Sequence, residues 1–200
     1  MKICCIDFET ANSARGSACA VGLAWLENGE LTGSTGKLIR PHRSCDQFDS
    51  FNISIHGIHP RDVADAPEFG ELAPWLFAML EADLVVAHNA AFDMSVLRAL
   101  CMLYGLPYPQ IRYLCSCKSA MRLWPEMANH KLDTLAARIG CEFEHHDAEA
   151  DAATAGKLLL AMLDNAGNRD PFDFAGRLGI TIGTMCGATY TPCSCKKVRA

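Results

Sequence analysis

The chain has 200 residues, half of them hydrophobic and a fifth charged, with a formal net charge of −5. That length is ample for one domain with a sizeable core, and the composition reads as globular rather than disordered. No apolar run approaches the roughly 18 residues of a membrane helix, and the negative charge argues against holding nucleic acid by bulk electrostatics, as basic domains do.

The first element is the most informative. Ile3, Cys4, Cys5 and Ile6 favour a buried strand and run straight into Asp7-Phe8-Glu9-Thr10. Side chains alternate along a strand, so Asp7 and Glu9 share one face and Phe8 takes the other. Two carboxylates side by side at the end of a buried strand repel each other and lose hydration, which is unfavourable without a cation. The competing reading is a strand that runs out into a solvated acidic loop. An acid as early as position 7 leaves no room for the apolar region of a signal peptide, so a cytoplasmic protein is expected.

Residues 19–26 form a second apolar run, Asn28-Gly29 signals a hairpin, and residues 31–39 supply a weaker third strand ended by Pro41. Three sequential strands with short turns predict an antiparallel meander. A polar loop containing several histidines spans 42–60, in which His56 and His59 are expected to be structural. Ala66-Pro67-Glu68 marks a helix start, and Leu72, Trp75, Leu76, Met79 and Leu80 keep helical spacing behind it.

Residues 84–87 read as a buried strand ending in His88-Asn89, followed by a helix over 91–104 closed by Gly105 and Pro107. A short strand over 113–115 and a helix over 131–139 come next. The last strong element is a helix over 147–164 with Ala155, Leu158, Leu159 and Met162 on one stripe. A meander followed by alternating strands and helices points to an α/β or α+β sheet with helices packed on it. The catalytic domain is expected over 1–165, with 166–200 a linker and a short, basic, Cys-containing tail. Of the eleven cysteines, Cys19, Cys45, Cys101 and Cys141 are scattered singly along expected strands and helices, and most of the set reads as buried thiols in a reducing compartment. In the tail, Cys186, Cys193 and Cys195, beside Lys196, Lys197 and Arg199, fall short of a four-ligand zinc site, even with Cys115 or Cys117 as a conceivable fourth.

Two later positions answer the demand set by the first strand. Asp93, in His88-Asn89-Ala90-Ala91-Phe92-Asp93, falls in the first turn of a helix, where a carboxylate suits the helix dipole. In His145-His146-Asp147-Ala148-Glu149-Ala150-Asp151, His146 stands just before the last helix and Asp151 inside it, while Asp147 and Glu149 are better placed as solvated acids. Together these segments resemble the DEDD-type 3′–5′ exonuclease superfamily, in the histidine-containing branch that includes the epsilon proofreading subunit of bacterial DNA polymerase III. The Asp-X-Glu-Thr motif is matched by Asp7, Glu9 and Thr10. The His-Asn-X-X-Phe-Asp motif is matched by His88, Asn89, Phe92 and Asp93. A His followed five residues later by Asp is matched by His146 and Asp151. The resemblance covers about residues 3–164 and is closest to the branch that continues Glu-Thr-Ala-Asn, here Glu9-Thr10-Ala11-Asn12.

The resemblance implies an RNase H-like α/β fold, with a mixed five-stranded sheet flanked by helices. It also implies that Asp7, Glu9, Asp93 and Asp151 hold two divalent ions about 3.5–4 Å apart. Hard oxygen ligands suit Mg²⁺, with Mn²⁺ able to substitute. His146 is implied as the general base, with His145 the neighbouring alternative, and Thr10 and Phe92 as substrate contacts near the terminal nucleotide. The expected partner is nucleic acid with a free 3′ end, single-stranded DNA before RNA, with a polymerase or repair protein as a second candidate and no membrane. Rival readings are an RNA-trimming exonuclease and a non-catalytic nucleic-acid or polymerase-binding module.

Overall fold

A computed structural model describes residues 1–142 and 146–196. Three strands open the chain: β1 (Lys2–Thr10), β2 (Ala18–Glu27) and β3 (Glu30–Leu38). They form the expected meander, turned at Asn28 and Gly29, whose φ values of 54° and 84° are the paired left-handed conformation of a tight hairpin turn. The polar loop that follows contains a short helix, α1 (Ser50–His56), absent from the sequence reading. Its composition, with Phe51, Ile53 and Ile55, is poor for a helix. The segment is held instead by tertiary bonds: the Asp49 N–H donates to the Ala11 carbonyl, and Asn52 Nδ2 donates to the Thr10 carbonyl.

Next come α2 (Phe69–Met79), β4 (Leu84–Ala87) and α3 (Ala91–Leu103). Pro67 lies just outside α2, whose start is fixed by a capping box in which Glu68 and Glu71 each accept from the other's backbone. Strand β5 (Tyr108–Cys115) is longer than the three residues expected. Pro109 disguises its start and is accommodated at a register shift. It leads directly into α4 (Ser116–Leu123), also not anticipated. Then follow α5 (Leu132–Arg138) and the long α6 (Ala148–Asn165), both where the periodicity put them.

The segment beyond α6 adds α7 (Pro171–Arg177), β6 (Ile180–Thr181), β7 (Gly183–Gly187), β8 (Thr189–Thr191) and β9 (Ser194–Cys195). Strand β7 pairs antiparallel with β5 and β8 with β7, so the main sheet has seven strands in the order β3-β2-β1-β4-β5-β7-β8. The first five are the expected mixed sheet, with β4 and β5 parallel to β1; the other two correct the count. The physical reason is the edge of β5, whose unpaired backbone groups would otherwise face solvent. Gly183 allows that pairing to close, since a Cβ there would come within 2.3 Å of the Tyr113 ring. Tyr113, buried, then bonds the Tyr190 hydroxyl at 2.9 Å and accepts from the Cys193 N–H. Lys197 and Arg199 of the tail lie outside the described residues. Among the described residues no helix is long and apolar enough to cross a membrane.

Candidate active site

Strand β1 pairs with β4 only over Ile3, Cys4 and Cys5, so Asp7 and Glu9 project beyond the carboxyl end of the parallel strands. Crevices in this position are where open α/β sheets place ligands. Both acids are half-buried, and Phe8 between them is buried in the core. The register shifts immediately after Glu9, a bulge of the kind that re-aims side chains beside sites.

Helix α3 brings the third acid. Asn89, at φ 60°, turns the chain out of β4, and Asp93 enters within the first turn. The Phe8 N–H, beyond the reach of β4, donates to Asp93 Oδ1 at 3.1 Å, so the helix start is stitched to β1. Asp93 is almost fully buried, and its other oxygen, Oδ2, has no hydrogen-bond partner among the described residues. A buried carboxylate oxygen in that condition is costly unless a cation meets it.

Helix α6 brings the fourth acid and the histidine. Its start lies directly over β2 at Gly22, the residue paired with Asp7. A Cβ on Gly22 would stand 1.9 Å from the Ala148 carbonyl oxygen, so only glycine lets the helix approach this closely. Asp147 caps the helix by accepting from the Ala150 N–H, and Glu149 accepts from Ser34 Oγ at 2.7 Å, away from the cluster. Asp151 is buried, and its Oδ2 accepts from the His146 N–H at 3.3 Å. His146 holds a left-handed backbone, φ 69°, uncommon for a residue other than glycine and found often at functional sites. Ligand atoms of Glu9, His146 and Asp151 all lie within 4.8 Å of one another. His145 lies outside the described residues. Replacing Gly22 with alanine is expected to push the α6 start off β2 and lower the site's activity by about 10²-fold, as a misplacement of about 1 Å can. The turnover rate is the measure, and an unchanged rate would show that the helix position is not limiting.

The electrostatics follow from this crowding. Burial first, and then Asp93, Glu9 and Asp151, push the Asp7 carboxyl well above the usual carboxylate range. Burial and the Asp151 charge raise Glu9 to about 8. Burial raises Asp93 to about 7 against the Phe8 N–H, which favours its ionised form. Such displaced values in one cleft mark a cluster built for positive charge.

The cleft, about 670 Å³, is lined by Asp7, Glu9, Phe92, His146 and Asp151, and walled by residues that the sequence reading missed: Cys117 and Met121 of α4, and the 130–133 segment. His88 ties these parts together. Its Nε2 donates to the His130 carbonyl at 3.0 Å, and its Nδ1 lies 3.0 Å from Ser116 Oγ. Only this pairing with Ser116 and His130 could have revealed α4 as a wall, and it is invisible in linear spacing. Of the two expected substrate contacts, Phe92 lines the cleft. Thr10 is buried, with its carbonyl bonded by Asn52 and by His56 Nε2. His56 also accepts from the Ile58 N–H, and burial lowers its pKa, so it holds the loop as a neutral ring.

The RNase T family model, described as an exonuclease, matches residues 4–159. The chain belongs to this exonuclease family. It is 28% identical over 159 residues to a PolC-type DNA polymerase III of Bacillus cereus, covering 79% of this chain and 11% of that protein. It is 26% identical over 163 residues to the 3′-5′ exonuclease DinG of Bacillus subtilis, covering 80% of this chain and 17% of DinG. The chain therefore spans between about a tenth and a sixth of these curated relatives. Among solved structures, Exonuclease X in complex with 5′ overhanging duplex DNA superposes with a TM-score of 0.72 at 24% identity, over 88% of this chain and 99% of that one. The nuclease domain of 3′hExo, a DEDDh family member bound to rAMP, gives 0.69 at 19% identity, over 82% of this chain and 92% of that one. These likenesses establish the RNase H-like fold.

Proposed function

We propose that this family member is a metal-dependent 3′–5′ exonuclease that releases nucleoside monophosphates from the 3′ end of single-stranded DNA. The observation that carries the reading is the convergence of Glu9, His146 and Asp151 within 4.8 Å, in one cleft with Asp7. The donor set fits hard divalent cations, because it is carboxylate-rich and leaves Asp93 Oδ2 buried without a hydrogen bond. Asp7, Glu9, Asp93 and Asp151 would hold two Mg²⁺ ions, or Mn²⁺, whose chemistry is to polarise the phosphodiester and neutralise the charge that develops there. His146 takes the proton of the attacking water, since a neutral imidazole accepts protons near neutral pH. Asp151, accepting from the His146 backbone, keeps the ring beside the cluster. Phe92 packs on the terminal nucleotide, and Thr10 supports it from the strand end. The PolC-type relative, a DNA polymerase by name, favours DNA and a polymerase context, and a cytoplasmic setting with a polymerase or repair partner is part of the proposal.

One digestion series tests the proposal: end-labelled single-stranded DNA, duplex DNA and RNA of the same sequence, with and without Mg²⁺. The expected result is Mg²⁺-dependent release of mononucleotides from the free 3′ end, fastest on single-stranded DNA. Faster loss of RNA would favour the RNA-trimming reading, and tight binding without turnover the non-catalytic module. Equal cutting of a 3′-blocked oligonucleotide would indicate an endonuclease.

A linked expectation concerns stability. The Glu9 and Asp93 carboxyls are raised to about 8 and about 7 when no cation is bound, while an unfolded chain ionises them near 4. Groups raised in the folded state stabilise it fully below the unfolded value, and that contribution is lost as pH rises through the folded value. The melting temperature in EDTA should therefore fall between pH 5 and pH 8.5, and Mg²⁺ should restore it chiefly at the upper end. Scanning calorimetry checks this, and a flat profile in EDTA would contradict the clustering of the acids.

A further inference from the structure

Arg15 takes no part in the chemistry above, yet it touches a residue that lines the cleft. It lies in the exposed connection between β1 and β2, and its guanidinium carbon sits 4.5 Å from the centroid of the Phe92 ring. Phe92 lines the cleft one residue before Asp93. Asp7, Glu9, Asp133 and Asp151 also line it, and among the described lining residues Lys131 is the one lysine or arginine. A polyanion entering such a cleft is repelled along its backbone wherever no cation meets it. A guanidinium stacked on an aromatic face keeps its charge and presents its N–H donors at the edge, a geometry that matches phosphate oxygens.

We propose that Arg15, placed over the Phe92 ring, is a substrate-positioning residue that contacts a backbone phosphate of the strand whose 3′ end occupies the cleft. The inference rests on the exonuclease reading and sharpens it. One face of Phe92 is taken by the guanidinium, so the terminal base packs only on the other. Phe92 directly precedes Asp93 in the chain, which places the cation close to the acidic cluster. Phosphate contact therefore lies within reach of the reacting end, and sequence-independent binding by an acidic protein has a local source.

The test compares the full chain with its Arg15→Ala, Arg15→Lys and Arg169→Ala forms on single-stranded oligothymidylate. Arg169 is the control cation: it is exposed beyond the far end of α6, whose 18 residues span about 27 Å from the cleft side. Arg15→Ala should raise KM about tenfold, as loss of a charged hydrogen bond does, with kcat within about twofold. It should also reduce the magnitude of the log–log salt slope of kcat/KM by about 0.7, the share of one phosphate on a single strand. Arg15→Lys should recover the slope but only part of KM, because an ammonium lacks the planar fork. Arg169→Ala should change neither. A lowered melting temperature in Arg15→Ala with KM and slope unchanged would overturn the proposal, leaving a packing role. So would a KM effect that disappears on an oligonucleotide with a 3′-terminal abasic site, since the contact would then be to the base. If the unmodified chain hydrolyses nothing, the exonuclease reading fails, and the same variants' affinities for oligothymidylate still read the contact.

Discussion

Replacing Asp7 with asparagine is expected to lower 3′-end hydrolysis by about 10³-fold or more while leaving the fold intact, and to raise the melting temperature of the metal-free protein. Both effects come from one cause. Asp7 sits on β1 beside Glu9, under the repulsion of Glu9, Asp93 and Asp151, and burial already opposes its charge. Removing that acid relieves the metal-free cluster, so stability should increase, by about 2–8 °C for a gain of about 1–2 kcal/mol in a chain of this size. The same charge is what the cluster would offer to a cation able to neutralise the charge developing on phosphate, and loss of one such electrostatic element typically costs about 10²–10³-fold by itself. Asparagine is nearly isosteric, and Asp7 faces the cleft rather than the core, so packing is preserved. The pair of measurements, rate in Mg²⁺ and melting in EDTA, is diagnostic. Near-normal rates would defeat the assignment of Asp7, and a fall in the metal-free melting temperature would show that it is a structural acid.

His146→Ala should lower the rate by about 10²–10⁴-fold, the range for removal of a general base, while Mg²⁺ still raises the melting temperature. The distinction matters because His146 lies within ligand distance of Glu9 and Asp151. A metal ligand and a base both sit close to carboxylates, but only the loss of a ligand weakens cation binding. A Mg²⁺ titration followed by melting temperature separates the two: an unchanged midpoint supports the base, and a strongly raised one supports ligation. Alanine carries the left-handed backbone at residue 146 at only a small extra cost over histidine. Its folding should therefore be nearly normal. His145→Ala is the companion measurement, and a larger loss there would reassign the base to that neighbour.

Much of this protein is legible in its sequence for a local reason. The alternation in Asp7-Phe8-Glu9, the Asn28-Gly29 turn, the apolar run over 84–87 and the stripe of α6 are each set within a few residues by period, propensity and turn chemistry. The three acidic segments sit at element ends, which local patterns mark well, so the five candidate residues could be singled out before any contact was known. The helix α1 and the wall helix α4 escaped because their segments are poor helix formers by composition or lie hidden against a strand end. They are held by distant partners: Asp49 and Asn52 on Ala11 and Thr10, and Ser116 on His88.

The sequence by itself determined the elements, their order and the chemistry at their ends, because those depend on neighbours along the chain. Only the tertiary structure decided how they meet. Gly22 sets how closely α6 lies on β2, the Phe8 N–H binds Asp93 across 85 positions, and Arg15 lies across Phe92. It also decided that residues 183–191 close the open edge of β5. Each of these is a contact between segments far apart in the chain. Their geometry follows from packing and from the need to satisfy buried polar groups, which no local pattern records.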